Sequence, residues 1–203
     1  MRKQFNAFIG GEADAWLKRN KLKIGKKDDP VLHAIEQHGI EPKAAMEVGC
    51  ANGWRLKALR KKYKCSVAGA DLSHKDHARF IEMDGAHDLK HFGNENFDLV
   101  IYGFCLYLCD REDLFAIAKE GDRVLANDGH LVVYDFFARR PLKSPYRHKE
   151  GIFSYHFDYS KLWSWNPAYR VVQRGSYDVS GALAEVTILQ KKVSGAWVQW
   201  VQK

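Results

Sequence analysis

Short apolar runs recur along the chain and are separated by segments whose apolar residues have helical spacing. The runs predict five strands, over residues 44–48, 66–70, 79–83, 97–101 and 131–136. The intervening patterns predict helices over residues 55–64 and 111–125. Strands that alternate with helices are typical of right-handed crossovers, so we expect a largely parallel sheet of the α/β class.

Both ends of the chain depart from this alternation. Near the C-terminus, residues 169–177 and 183–191 predict two long strands joined through Ser180-Gly181 as an antiparallel hairpin at the sheet edge. Ahead of the first strand, residues 5–27 predict an N-terminal helix, and residues 31–39 predict a second, short helix. We therefore expect a helical N-terminal cap over residues 1–39 and a main domain over residues 40–203.

The segment between the fifth strand and the hairpin is rich in aromatic and basic residues. Residues 134–169 hold eleven of the 26 aromatic residues, interleaved with arginine, lysine and histidine. This composition favours a substrate-cap insertion at about residues 138–169. The alternative is a local hydrophobic cluster that packs the segment on the sheet.

Composition narrows the class of protein without naming a function. With 203 residues, 46% hydrophobic and 28% charged, the chain fits one globular domain with a modest appendage. The four cysteines form no C-x-x-C pair, and no apolar run reaches about 18 residues, so a cytoplasmic protein without membrane insertion is expected. The net charge of +7 suits nucleic acid, an anionic substrate or solubility alone.

Candidate chemistry lies where the first three strands end. The first strand runs into a glycine turn, Gly49 to Gly53, that leads into a helix, and such a turn lets a ligand approach the backbone. The next two strands end in Asp71 and Asp84. In a parallel sheet these ends share one crevice, and an acidic residue after the second strand is placed to accept hydrogen bonds from a ribose.

The spacing of the turn excludes two common nucleotide motifs. A dinucleotide fingerprint needs G-x-G-x-x-G, but Trp54 stands where the third glycine belongs. No G-x-x-x-x-G-K-[ST] phosphate loop occurs either.

The strand ends resemble those of the class I S-adenosylmethionine-dependent methyltransferases. In that family an acidic residue precedes a G-x-G-x-G turn, whose middle glycine is Ala51 in this chain. The resemblance covers about residues 40–137 and follows the family's order through five segments: Glu47-Val48-Gly49-Cys50-Ala51-Asn52-Gly53, Gly69-Ala70-Asp71-Leu72-Ser73, Glu82-Met83-Asp84-Gly85-Ala86, Phe97-Asp98-Leu99-Val100 and Val124-Leu125-Ala126-Asn127-Asp128-Gly129-His130-Leu131.

The resemblance implies a fold, a cofactor and its contacts. The fold is a doubly wound, Rossmann-like seven-stranded sheet, mostly parallel, with an antiparallel last strand and helices on both faces. The cofactor is S-adenosylmethionine, with Asp71 on the ribose hydroxyls, Asp84 at the adenine amino group, and Tyr102 and Gly103 beside the sulfonium. The full set of candidate cofactor residues is Trp16, Glu47, Gly49, Cys50, Ala51, Asn52, Gly53, Asp71, Leu72, Asp84, Gly85, Ala86, Tyr102 and Gly103.

Methyl transfer from a sulfonium requires an oriented acceptor and, for a hydroxyl acceptor, a proton acceptor. Four residues that follow the fourth or fifth strand are candidates for that role: Tyr107, His148, Tyr155 and His156. Base amino-methyltransferases carry an Asn-Pro-Pro-Tyr-like signature after the fourth strand, whereas this chain has Tyr102-Gly103-Phe104-Cys105 there. The Pro-Cys nucleophile that is typical of cytosine-carbon methyltransferases does not occur either. We expect O- or N-methylation of a small molecule, such as a sugar, a lipid intermediate or a secondary metabolite.

Two rival functions stay open. The basic helix after the glycine turn and the charge of +7 favour an RNA or ribosomal RNA methyltransferase, whereas loss of catalysis would leave a non-catalytic S-adenosylmethionine-binding protein. The pairs His74 and His77, and His87 and His91, lack the neighbours of a zinc ligand set, so we expect no metal. The sequence does not define an oligomeric state.

Overall fold

A computed structural model describes residues 2–22, 24–25, 28–73, 81–82 and 85–194. Its main sheet has seven strands in the order β3-β2-β1-β4-β5-β9-β8, and β6 and β7 form a separate hairpin. The strands are β1 (Ala44–Val48), β2 (Ser66–Ala70), β3 (Ile81–Glu82), β4 (Phe97–Gly103), β5 (Leu125–Phe136), β6 (Leu142–Pro145), β7 (Phe153–His156), β8 (Tyr169–Val179) and β9 (Ala182–Lys191).

Strand directions in this sheet follow the predicted class. The first five strands pair in parallel, β9 runs antiparallel to β5, and β8 pairs antiparallel with β9 at the edge. The predicted doubly wound α/β sheet with a C-terminal antiparallel hairpin is therefore confirmed. The predicted third strand, residues 79–83, is described only at Ile81–Glu82.

Helices cover both faces of the sheet because successive strand residues point to opposite sides. In β4, Leu99 and Ile101 belong to one hydrophobic core, whereas Val100 and Tyr102 belong to the other. The main-domain helices are α3 (Pro30–Gln37), α4 (Trp54–Tyr63), α5 (Leu114–Val124) and α6 (Lys161–Ser164). Residues of α3 and α4 enter the first core, and residues of α5 and α6 enter the second.

Two strand boundaries differ from the prediction, and one of them changes the site. Strand β4 continues to Gly103, so Tyr102 and Gly103 lie within the strand instead of just past it. Strand β5 begins at Leu125, because the residues before the predicted strand 131–136 belong to it and form an irregularity inside it. There the pairing jumps from Phe97 with Leu125 to Leu99 with His130.

The N-terminal segment folds as two helices, which corrects the single helix predicted over residues 5–27. They are α1 (Lys3–Ala7) and α2 (Ala13–Asn20), joined by a wide helical turn, Phe8–Glu12. The backbone leaves helical angles at Gly10 and Gly11, and Gly11 has φ +112°. A pair of glycines without Cβ atoms tolerates this kink at little cost.

The segment 138–169 also contains more regular structure than its composition indicates. Strands β6 and β7 pair as an antiparallel hairpin, and α6 follows before β8 begins. All four residues of β6 are exposed, so the strand has no apolar face from which it could be predicted. Among the helices that the structure describes, none is long and apolar enough to span a membrane.

Candidate functional site

A cleft of about 800 Å³, open solvent included, lies at the carboxyl ends of β1, β2 and β4. This is the edge at which ligands bind in open parallel sheets. Helices α1 and α2 and the segment after β4 form its other sides. The lining residues are Gln4, Phe5, Phe8, Ala13, Trp16, Val48, Gly49, Ala70, Asp71, Leu72, Gly85, Ala86, His87, Phe104, Cys105, Leu108, Cys109, Asp110, Asp113 and Ile117.

The glycine turn, residues 49–53, adopts the left-handed backbone conformation at three positions. The φ angles are +72° at Gly49, +52° at Ala51 and +69° at Gly53. At Gly49 a side chain has no room, since a Cβ atom there would lie 2.4 Å from the Cβ atom of Cys105. The replacement of the family's middle glycine by Ala51 therefore leaves the turn intact but places an alanine in a conformation that favours glycine.

Asp71 connects the glycine turn to the N-terminal helices. Its Oδ2 accepts a hydrogen bond of 2.7 Å from the Ala51 N–H, and its Oδ1 accepts one of 2.8 Å from the Ser73 N–H. The Ser73 hydroxyl in turn donates to Asp14 of α2 at 2.7 Å. Asp71 also lines the cleft.

The acidic residue of the turn motif, Glu47, is committed to a buried ion pair. Its Oε1 accepts from Arg55, whose guanidinium also binds Asp29 through two hydrogen bonds of 3.0 Å. Burial raises the pKa of Glu47, and Arg55 opposes that rise. Glu47 is 1% exposed, and its Oε2 has no hydrogen-bond partner within the described part of the chain.

Several predicted cofactor residues lie outside the lining of the cleft. Tyr102 is fully buried, and its hydroxyl donates to the Ile117 carbonyl at 3.4 Å, on the side of α5. Gly103 instead faces Arg55 and Glu47, where a Cβ atom would lie within 2.8 Å of both side chains. The positions beside the end of β4 that do line the cleft are Phe104 and Cys105, which the sequence reading missed.

The remaining predicted residues divide between the lining and its surroundings. Trp16, Gly49, Asp71, Leu72, Gly85 and Ala86 line the cleft. Cys50, Ala51, Asn52 and Gly53 belong to the glycine turn but not to the lining, and Asp84 lies outside the described residues.

Helix α1 is held against the cleft by two buried polar residues. Asp110 accepts from the backbone N–H groups of Gln4 at 3.0 Å and Phe5 at 2.8 Å, and so caps the start of the helix. The Gln4 amide donates to the Leu108 and Phe153 carbonyls and accepts from the Phe153 N–H. Helix α1 is thereby fixed both to the segment after β4 and to β7.

The four candidate proton acceptors have different surroundings. Trp16 Nε1 donates to the Tyr107 hydroxyl at 3.3 Å, and burial raises the pKa of Tyr107 well above its ordinary value. Burial lowers the pKa of His156, which stacks on Phe136 with a centroid distance of 4.7 Å.

The other two candidates have neighbours of a different kind. Tyr155 lies 4.3 Å from the Arg111 guanidinium, and the exposed His148 contacts Tyr146 edge-on. In the ranges that the structure covers, no three His, Cys, Asp or Glu side chains gather as a metal site, and His74 and His77 lie outside those ranges.

One further acidic residue of the site escaped the sequence reading. Asp135 near the end of β5 is 3% exposed, and its carboxylate accepts the backbone N–H groups of Leu106 and Tyr107 at 2.8 and 3.2 Å. The signal that found Asp71, an acidic residue closing an apolar strand, is also present in Val132-Val133-Tyr134-Asp135. The apolar run continues through Phe136 and Phe137, so Asp135 does not stand at its end as Asp71 does.

The sheet and the cleft define an open α/β protein with a cleft at the carboxyl ends of its parallel strands. The model of the family described as "Methyltransferase domain" matches residues 46–133. No protein with a curated description matches the sequence.

Solved structures share the fold at low sequence identity. The 1,6-didemethyltoxoflavin-N1-methyltransferase of Burkholderia thailandensis, with bound 1,6-didemethyltoxoflavin and S-adenosylhomocysteine, is 15% identical, with a TM-score of 0.73 over 93% of this chain and 87% of that chain. An S-adenosylmethionine-dependent methyltransferase from Methanosarcina mazei is 18% identical, with a TM-score of 0.61 over 82% of this chain and 99% of that chain. One from Mesorhizobium loti is 15% identical, with a TM-score of 0.60 over 80% of this chain and 96% of that chain.

These comparisons confirm the predicted family. The methyltransferase-domain model covers residues 46–133, the solved structures share the fold, and S-adenosylmethionine is the cofactor of that family.

Proposed function

We propose that the protein transfers a methyl group from S-adenosylmethionine to a small-molecule acceptor. The observation that carries this proposal is the division of one cleft into two sides. One side consists of Gly49 of the glycine turn and of Asp71, Leu72 and Gly85 at the strand ends. The other consists of aromatic side chains from the N-terminal helices and the segment after β4: Phe8, Trp16 and Phe104.

The strand-end side fits the cofactor. Gly49 of the turn lines the cleft without a side chain, and the Asp71 carboxylate, which also lines it, would accept from the ribose hydroxyls. Leu72, Gly85 and Ala86 would border the adenine, and Asp84, which precedes Gly85 in the sequence, stays a predicted contact of the adenine amino group. When bound, S-adenosylmethionine supplies an electrophilic methyl group on its sulfonium.

The aromatic side fits an apolar, planar acceptor. Aromatic faces stack on flat rings and exclude water, which strengthens the few polar contacts that orient a substrate. The Tyr107 hydroxyl accepts from Trp16 and, like any tyrosine, is protonated at neutral pH, so it would donate to the acceptor. His156, whose pKa is lowered by burial, is the candidate that would accept a proton.

Two further features support a small acceptor. Helices α1 and α2 line the cleft, and the turn between them packs on the loop between β6 and β7 through Phe8 and Tyr146, whose ring centroids lie 6.2 Å apart. We therefore propose helices α1 and α2 of the N-terminal cap and the insertion, residues 138–169, as the two parts that enclose the acceptor. The Burkholderia relative, which covers 93% of this chain, is a methyltransferase of a small heterocycle.

Radiolabelled cofactor tests both the activity and the acceptor class. The protein is incubated with methyl-labelled S-adenosylmethionine and an extract of its source cells, which is then separated into a small-molecule filtrate, RNA and protein. We expect the label in the filtrate, and D71A as the control should lose it. Label confined to RNA or protein would contradict the small acceptor, and no label in any fraction would contradict the activity.

A basic surface favours RNA as a second candidate acceptor. Residues 139–149 of the insertion contain five exposed cations and no carboxylate: Arg139, Arg140, Lys143, Arg147 and Lys149. Contacts with phosphates would make binding fall steeply with salt. Two results would establish this alternative. The label would be sensitive to RNase, and the affinity for RNA would fall between about 50 and 200 mM salt by the amount expected for several phosphate contacts.

A further inference from the structure

The segment that follows β4, residues 105–109, forms one wall of the cleft, and we call it the wall loop. Cys105, Leu108 and Cys109 line the cleft directly. The backbone of this loop is held by side chains from outside it, and each of these side chains comes from a different part of the fold.

Asp135 holds the N–H groups at the start of the wall loop. One carboxylate oxygen, Oδ2, accepts from Leu106 at 2.8 Å and from Tyr107 at 3.2 Å, while Oδ1 accepts from the Phe136 N–H at 2.8 Å. No Lys, Arg or His nitrogen of the described residues comes within 4.0 Å of this carboxylate as a salt bridge. The backbone N–H groups are therefore what compensates its burial.

Arg111 holds the carbonyl groups of the same loop. Its guanidinium donates to the Leu106 carbonyl at 2.6 Å and to the Cys109 carbonyl. A third bond of 2.7 Å goes to the hydroxyl of Tyr159 in the insertion. The wall loop is thus fixed by an acceptor on its N–H side and by a donor on its carbonyl side.

The position of the wall loop matters because its first residue touches the glycine turn. The Cβ atom of Cys105 occupies the place that a side chain at Gly49 would need. Packing this tight does not absorb a displacement without moving one of the two partners. A shift of the wall loop would therefore change the shape of the turn along which the cofactor is proposed to lie.

We infer that Asp135 is a positioning residue of the cofactor site, acting through its hydrogen bonds to the Leu106 and Tyr107 backbone. This inference rests on the proposed function, because S-adenosylhomocysteine is the ligand whose affinity reports it. Asp135 does not line the cleft, so its effect passes through the wall loop.

Asp98 provides a matched control at the opposite end of the sheet. Its carboxylate also accepts two backbone N–H groups, from Lys43 at 2.9 Å and from Ala44 at 3.0 Å. The dissociation constant for S-adenosylhomocysteine is measured by calorimetry for D135A, D135N and D98A, at a temperature where circular dichroism shows each variant folded. We expect D135A to raise it about ten-fold or more, D135N to raise it less, and D98A to leave it within about two-fold.

The intermediate effect of D135N follows from its shape, since an asparagine oxygen can still accept from Leu106 and Tyr107. Folded D135A with wild-type affinity would overturn the inference, as would an equal loss in D98A. If D135A does not fold, amide exchange in D135N decides, with faster exchange at Leu106 and Tyr107 expected and unchanged exchange contradicting the inference. Absence of binding by the wild type would refute the proposed function instead, and the exchange measurement would still test Asp135.

Discussion

Gly49 and Cys105 pack against each other so closely that no side chain fits at Gly49. A Cβ atom there would lie 2.4 Å from the Cβ atom and 3.2 Å from the Sγ atom of Cys105. The backbone also requires glycine, because φ is +72°. The glycine turn and the wall loop thus determine each other's position at the point where the family places its cofactor.

G49A should lower the free energy of unfolding more than the backbone angle alone explains. Gly181 in the turn between β8 and β9 provides the comparison, since its φ is +82° but a Cβ atom there would meet nothing within 4 Å. We expect G49A to cost about 1–3 kcal/mol more than G181A in urea unfolding, as overpacking does. Equal costs for the two variants would show that Cys105 does not restrict Gly49.

D71A should weaken binding of S-adenosylhomocysteine by about 1–3 kcal/mol, which is the loss expected for a partly buried acceptor of ligand hydrogen bonds. D178A is the control, because Asp178 accepts one backbone N–H, from Gly181 at 3.1 Å, in a turn away from the cleft. Calorimetry should show a normal dissociation constant for D178A. A normal constant for D71A as well would remove Asp71 from the cofactor site.

R55M should destabilise the fold by about 3–5 kcal/mol, because it leaves Glu47 and Asp29 buried without their cation. Arg60 on the same helix is exposed, so R60M should change the free energy of unfolding by no more than about 0.5 kcal/mol. Urea denaturation compares the two. Similar small losses in both would mean that the buried ion pairs contribute little.

Asp135 should make stability depend on pH. Burial raises its pKa to about 7, against the opposing effect of its backbone N–H partners and Arg111. An aspartate in the unfolded chain titrates near about 3.9, so between these pH values the folded protein holds a proton that the unfolded chain has released. The free energy of unfolding therefore falls as pH rises from about 4 to about 7, by about 4 kcal/mol in full.

D135N replaces the titrating carboxyl group with an amide. The difference in the free energy of unfolding between the wild type and D135N therefore reports Asp135 and no other titrating group. The stability of the wild type relative to D135N should decrease as pH rises through that window and level off above it. Urea unfolding of both proteins at several pH values measures the difference. A difference that stays constant with pH would show that Asp135 does not titrate in this range.

The sequence predicted the strands that have a clear apolar pattern and missed those that lack one. Strands β1 and β2 were predicted to the residue because each is a compact apolar run before a polar turn. Strand β6 was missed because all of its residues are exposed, and the kink in the N-terminal helix arises at two adjacent glycines that a continuous helical pattern concealed.

Only the site residues that stand directly at the end of a predicted strand could be predicted from the sequence. Gly49 and Asp71 follow from their places at strand ends, and both line the cleft. The roles of Phe104 and Asp135 depend on how far β4 extends and on which loop meets β5, and these are tertiary relationships that spacing along the chain does not encode.

Calorimetric titration of the wild type with S-adenosylhomocysteine tests directly whether the cleft binds the cofactor. We expect one binding site per chain, a measurable heat of binding and a rise in the melting temperature with ligand concentration. Neither heat nor a thermal shift at ligand concentrations on the order of 1 mM, where even weak binding of about −4 kcal/mol is detected, would contradict this expectation.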